Sequence, residues 1–195
     1  MVASDLPTVL RIQASSYPSH LHEAVQTYEQ RLRAYPEGSL VIEDGGSGAV
    51  FGYGMSHPWL RAHAPPQLGD GNSLADGVMA AVANREAAYY HMHDVAVVRG
   101  LHSRGAGRLL FWKLLQHASD AQWQHAGLVA VLGMERLWSA SGFAVAPMDR
   151  SGLDGYSVDG EPAAVWMEAA IAAALPVAQS AARRASEHNE ALRDF

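Results

Sequence analysis

The sequence predicts an α+β fold, and three observations point to it. Apolar periodicity runs in the order two helices, a hairpin, a long loop, then strand, helix, strand, helix, strand. A buried-type strand, Val95-Ala96-Val97-Val98, passes through a loop of small and basic residues into a helix striped by Leu109, Leu110, Phe111, Leu114 and Leu115. The chain has 195 residues, a length that suits one core.

The elements follow in order. Asp5 to Gln13 reads as a loop and helix start, and about Leu21 to Ala34 as a helix with Leu21, Ala24, Tyr28 and Leu32 on one face. Pro36-Glu37-Gly38 stops it. Ser39 to Glu43 is a strand, Asp44 to Gly48 a tight turn, and Ala49 to Met55 the hairpin partner. Ser56 to Asn84, rich in Gly and Pro, reads as a loop long enough to carry function. Ala87 to Val98 is the central strand and Gly105 to Ala118 the helix after the small-residue loop. A strand at Gly127–Gly133, a short helix at Met134–Ser141, and strands at Gly142–Ala146 and Ala163–Ala170 complete the set. A single domain is expected over residues 1–175. An Ala-rich, charged tail over 176–195 is expected to be a weakly packed helix or disordered.

Composition narrows the function. Fourteen Lys and Arg against 20 Asp and Glu give a net charge of −6, with no basic tract, so nucleic acid is not an expected partner. The chain has no cysteine, which excludes disulfides, thiolate nucleophiles and Cys-based zinc sites. No basic and apolar leader opens the sequence and no apolar run reaches membrane-spanning length, so the cytoplasm is the expected compartment, without a membrane partner.

Ser103-Arg104-Gly105-Ala106-Gly107-Arg108 carries the clearest chemical signal. Glycine at 105 and 107 lets a ligand approach the main chain, and a helix starting there points N–H groups and its positive dipole end at an anion such as pyrophosphate. Arg104 and Arg108 add charge. Gly107-Arg108-Leu109 lacks the Gly-Lys-Ser/Thr of a Walker A loop, and Leu110 breaks the Gly-x-Gly-x-x-Gly dinucleotide pattern.

What remains, His102-x-x-Gly105-x-Gly107 after a Val-Ala-Val strand, resembles the acetyl-CoA signature of the GNAT N-acetyltransferase superfamily, Gln/Arg-x-x-Gly-x-Gly/Ala, with His102 at the Gln/Arg place. Leu137-Trp138-Ser139-Ala140-Ser141-Gly142-Phe143 is similar to that superfamily's second signature. Tyr35-Pro36-Glu37, Ser56-His57-Pro58-Trp59, His91-Met92-His93, Val95-Ala96-Val97 and Leu110-Phe111-Trp112 resemble segments of the arylalkylamine (serotonin) N-acetyltransferase group, in order over roughly residues 5 to 170. The resemblance implies a mostly antiparallel sheet splayed between the superfamily's fourth strand, here Val95-Ala96-Val97, and fifth, here Leu128-Val129-Ala130-Val131. It implies acetyl-CoA as cofactor, with CoA as product. Val95, Ala96, Val97, His102, Ser103, Arg104, Gly105, Ala106, Gly107 and Arg108 are then the expected cofactor-binding residues.

Acetyl transfer to an amine needs a proton acceptor, because a primary amine of ordinary pKa is almost wholly ammonium at neutral pH. His91 and His93 lie two apart on a strand and share a face, and an imidazole titrates near pH 6.5. The resemblance carries a proton-relay role to both. A main-chain N–H at Val95 or its neighbour is the expected oxyanion-type contact. Superfamily members often carry a tyrosine acid where this chain has Trp138, so Tyr156 is the expected substitute, with Ser139, Ser141 or water as alternatives. Trp59, Trp112, Trp123, Trp138 and Trp166 otherwise read as packing. Tyr17, Tyr53, His57 and Trp59 are the expected acceptor-pocket residues, with Glu23 and Asp149 as acids able to attract an ammonium. His91 and His93 could also ligate a metal with His57, His63, His102 or Asp94. No compact His spacing supports that, and no metal is expected. In a regular strand Asp94 points away from the histidines and anchors a neighbouring loop.

The expected function is acetylation of a small, aromatic or apolar primary amine by direct attack in a ternary complex, by a monomer or homodimer. Acetylation of a protein N-terminus or lysine, and non-catalytic CoA binding, are the alternatives.

Overall fold

A computed structural model describes residues 1–66, 68–69, 73–148 and 150–187. Its elements are α1 (Leu6–Ser16), α2 (Val25–Ala34), β1 (Ser39–Glu43), β2 (Val50–Leu60), α3 (Leu74–Ala83), β3 (Ala88–Val97), α4 (Ala106–Asp120), β4 (His125–Ala130), α5 (Glu135–Ser139), β5 (Ala144–Val145), β6 (Val165–Ala170) and α6 (Ile171–Glu187). The six strands form one sheet in the order β1-β2-β3-β4-β6-β5, with β3 and β4 parallel and every other pair antiparallel. This is the expected α+β architecture.

Alternation along β3 sorts the core into two layers. Tyr90 and Met92 face α4, where Phe111, Leu114, Leu115 and Ala118 form the stripe read from the sequence, and α6 adds Ala174 and Ala178. The opposite face is covered by α1 and α2 around Leu6, Val9, Ile12, Tyr28 and Tyr53, and by α3 around Trp59, Leu74, Val78 and Trp166. Each fully buried leucine here contributes roughly 1.5–3 kcal/mol. Among the described residues no helix is long and apolar enough to cross a membrane.

Three elements differ from expectation. The region 56–84 is not one loop: β2 continues to Leu60, and α3 occupies Leu74–Ala83. Gly77 reads as a breaker, but it is where the Trp59 ring lies against α3, and a Cβ there would overlap that ring. The second helix begins at Val25, and it buries Thr27, Tyr28 and Arg31, two polar residues among them. At the C-terminal end, α6 starts at Ile171, runs through Pro176 and docks a stripe of Ala174, Ala178 and Ala182. Residues 188–195 of the tail lie outside the described residues.

A bulge shapes the centre of the sheet. Met55 pairs with Asp94 but Ser56 pairs with Met92, so His93 is an extra residue on β3. The extra residue cancels one alternation. His93 reaches Glu23 while the next residue, Asp94, reaches Tyr28 and Tyr53, so both point to the α1–α2 side. Asp94 therefore does not point away from the histidines, as a regular strand requires.

Candidate active site

Strands β3 and β4 pair only at Tyr90–Ala126 and His91–Gly127, and beyond that they part. The parting opens a cleft of about 1190 Å³ between His93–Val97 and Leu128–Val131, which reaches Gly105, Gly107 and Arg108 at the start of α4. In this chain the splayed pair is the third and fourth strand.

Backbone direction along β3 follows from its pairing with β2. The Val98 N–H donates to Phe51 O at 2.8 Å, and bonded positions alternate in an antiparallel ladder, so Ala96 and Asp94 turn their peptide groups to β2. Val95 and Val97 turn theirs to the cleft. Two acceptor bonds agree with this: Val95 O receives the Tyr17 hydroxyl at 3.1 Å, and Val97 O receives the Ser16 hydroxyl at 3.3 Å.

At the other end of the cleft, Gly105 sits at φ +84°, a left-handed conformation that glycine adopts without strain. Its Cα packs on Ala185 of α6. Gly107 has open space where a side chain would be, so packing does not demand glycine there. Val95, Ala96, Val97, Gly105, Gly107 and Arg108 all line the cleft, and Ala106 is buried at the helix start. The side chains of His102, Ser103 and Arg104 lie outside the described residues, as does Asp149.

The histidine region is a buried polar network. His93 lines the cleft, and its Nε2 lies 2.8 Å from Glu23 Oε2. The other Glu23 oxygen accepts from Arg31 at 2.6 Å and from the Gly69 N–H at 2.9 Å. Gln13 clamps the Glu23 main chain at both groups: its Nε2 donates to Glu23 O at 3.1 Å and its Oε1 accepts the Glu23 N–H at 2.7 Å. Burial alone would raise the Glu23 carboxyl, but His93 and Arg31 outweigh it and hold it well below the usual carboxylate range. Glu23 thus lines the cleft as a buried carboxylate already paired with His93 and Arg31.

His91 is 1% exposed and lies behind His93, away from the cleft wall. His57 pairs with it across the strands. Burial pushes both imidazoles well below their ordinary pKa, Arg31 and His93 add to this at each, and the His57 ring adds to it at His91. Both are therefore neutral around pH 7. One ring nitrogen from each of His57, His91 and His93 lies within 4.8 Å of the others. The sequence gives no hint of this trio by spacing, because the β2–β3 register creates it.

Asp94 accepts from Tyr17 at 2.7 Å, from Tyr53 at 2.5 Å and from Tyr28 at 3.0 Å, which ties the loop after α1 to β3. Burial raises its carboxyl above the ordinary value, against the lowering effect of His93 and the three phenols.

Of the four expected acceptor residues, Tyr17 lines the cleft. Tyr53, His57 and Trp59 do not: Tyr53 is fully buried on Asp94, His57 packs behind His91, and Trp59 packs on α3 with its indole donating to Ala64 O at 2.8 Å. Their β2 positions face the helices and not the gap. Tyr156 lines the cleft, and its hydroxyl donates to Pro66 O at 2.5 Å. Trp138 lines the cleft and packs on Phe111 with ring centres 4.8 Å apart.

Fold and cleft together define an acyl-CoA-type transferase scaffold. The acetyltransferase (GNAT) family model matches residues 6–143, and this chain belongs to that family. Acetyl-CoA, with CoA as product, is its cofactor. No curated protein matches the chain at a significant level. Among solved structures, the chain is similar to the GphF GNAT-like decarboxylase in complex with isobutyryl-CoA, with TM-score 0.67 and 16% identity over 88% of this chain and 97% of that one. It is also similar to Naa20 of Chaetomium thermophilum in complex with a bisubstrate analogue, with TM-score 0.59 and 18% identity over 90% and 87%. Arylalkylamine N-acetyltransferase 2 from Aedes aegypti gives TM-score 0.57 and 12% identity over 88% and 96%. At these identities the likeness is one of fold.

Proposed function

We propose that this protein transfers the acetyl group of acetyl-CoA to the primary amine of a small aromatic or apolar molecule, by direct attack with both substrates held in the splayed cleft. The observation that carries this reading is His93: an imidazole on the cleft wall, fixed by a buried carboxylate, with its Nδ1 lacking a hydrogen-bond partner among the described residues. If Nε2 carries the proton shared with Glu23, Nδ1 holds a free lone pair just beneath the cleft wall, which a bound amine reaches through one water. Glu23 is then a positioning residue that also stabilises the imidazolium formed when the amine gives up its proton. His91, behind it and held neutral, can pass a proton but not keep one.

Acetyl-CoA supplies an acyl carbon activated by its thioester. The Val95 N–H, directed into the gap, is suited to polarise the carbonyl oxygen, and the edge of β3 through Val97 to hold the pantetheine arm. The open side of Gly107, the start of α4 and Arg108 fit a pyrophosphate. Tyr156 is the phenol we assign to protonate the departing sulfur, and it must first leave Pro66 O to do so.

Two features favour a small, apolar acceptor. Tyr17, Leu21, Leu68 and Tyr156 give the cleft aromatic and aliphatic walls near His93. The Tyr156–Pro66 bond ties the segment after β2 to the segment before β6, which disfavours passage of a polypeptide acceptor. We infer a cytoplasmic monomer or homodimer. A CoA-release assay over tryptamine, phenethylamine, spermidine and a lysine peptide tests the reading. Turnover highest with the two aromatic amines is expected, and turnover confined to the peptide would overturn it in favour of protein acetylation.

A further inference from the structure

The three buried imidazoles are more than the proposed chemistry uses. Nδ1 of His93 has no hydrogen-bond partner among the described residues, and the His91 ring has only a main-chain contact to Gly127, which leaves one of its nitrogens unpartnered. His91 is 1% exposed and the His93 side chain 2%, so these are orphaned acceptors or donors in the interior, each costly unless something occupies the space between them. His57 lies 3.1 Å through Nδ1 from Pro58 O, which assigns the proton to Nδ1 and leaves Nε2 to accept; its neighbour there is Arg31 Nη1 at 3.4 Å.

We propose that His57, His91 and His93 form a binding site for a divalent transition-metal ion of the zinc type, whose occupancy silences acetyl transfer. The ring centres are 5.3, 5.6 and 6.3 Å apart. A tetrahedral three-histidine site, with metal–nitrogen bonds of about 2 Å, sets ring centres roughly 5 Å apart, so contractions of about 0.3 to about 1.3 Å close the trio. The outer partners also match what metal-bound histidines have: a carboxylate, Glu23, on the far nitrogen of His93 and a carbonyl, Pro58 O, on that of His57. Arg31 opposes the ion, but its guanidinium is paired with Glu23, and only its 3.4 Å contact with His57 must yield. His93 borders the cleft, which supplies an entry route and a water for the fourth position.

The binding claim stands on geometry alone; the silencing claim rests on the proposed role of His93 as base. The test uses untagged full-length protein. Zinc affinity is read by competition with a chromophoric chelator, and cobalt coordination by its visible absorption. One tight zinc per chain and a four-coordinate cobalt spectrum are expected, with affinity falling by roughly tenfold or more in each of His57→Gln and His91→Gln, as for loss of a ligand. His63→Gln is expected to bind as the parent does. The cobalt spectrum of the parent decides the matter should either buried variant fail to fold. No one-to-one binding, a six-coordinate spectrum, or affinity unchanged in both buried variants would overturn the site. Tight binding at the trio with undiminished acetyl transfer would leave the site standing and remove His93 as the base.

Discussion

Acid should destabilise this protein earlier than its carboxylates alone would require. His57 and His91 are 2% and 1% exposed, and burial holds both neutral in the folded chain. In the unfolded chain each takes up a proton around pH 6.5. Below that value the unfolded state binds more protons, so stability falls as pH falls. Between about pH 7.5 and about pH 5.5 each histidine costs about 1.4 kcal/mol, and the pair about 2.7 kcal/mol. Glu23 works in a lower window. Its folded pKa is depressed, so its contribution is complete above the unfolded carboxyl pKa and is lost only as pH falls through the folded value. It is silent between the two pH values chosen. Urea unfolding at both values, with zinc chelated, measures the difference, and His57→Gln/His91→Gln should remove most of it. Asp94, whose raised carboxyl takes up protons in the folded chain as pH falls, acts in the opposite sense and cancels in that comparison. A double variant whose stability changes with pH as the parent's does would refute the claim that both rings stay neutral inside.

Three other outcomes follow from the cleft. Glu23→Gln leaves Arg31 buried without its carboxylate and should cost about 3–5 kcal/mol in urea unfolding, while lowering kcat and shifting the acid limb of the rate profile; an unchanged profile in a folded variant would separate Glu23 from the chemistry. Gly107→Glu puts bulk and negative charge where pyrophosphate is expected and should weaken acetyl-CoA binding by roughly tenfold or more in calorimetry, with unchanged stability because the position faces open space. Tyr156→Phe should lower kcat with little change in KM if the phenol protonates the sulfur; a raised KM with unchanged kcat would make it an acceptor-pocket wall held by Pro66.

The parts of this molecule written in local pattern were legible from sequence. The strand through Val95-Ala96-Val97, the Gly105–Gly107 loop and the α4 stripe each depend on neighbours within one helix turn or strand pleat. The site's polar interior was not. Glu23 reads only as an acid able to attract an ammonium and Arg31 carries no signal, because nothing local says that Gln13 clamps one and that α2 turns the other inward. The bulge at His93 inverts the facing of Asp94, and a bulge is a property of two strands in register. Register also decides which of the candidate partners joins the histidine pair, since His57 meets His91 only once β2 lies beside β3. Their aromatic character makes Tyr53 and Trp59 look like pocket residues, whereas burial against Asp94 and α3 decides their place.

The central claim is that His93, fixed by Glu23, takes the proton from an amine bound beside acetyl-CoA. The most direct measurement is the pH dependence of kcat for His93→Gln beside the parent, with the best amine of the panel and both enzymes saturated. The account predicts a loss of about 10²–10⁴-fold near neutral pH that shrinks as pH rises and the amine deprotonates on its own. A folded His93→Gln protein with the parent's rate and pH profile would contradict it.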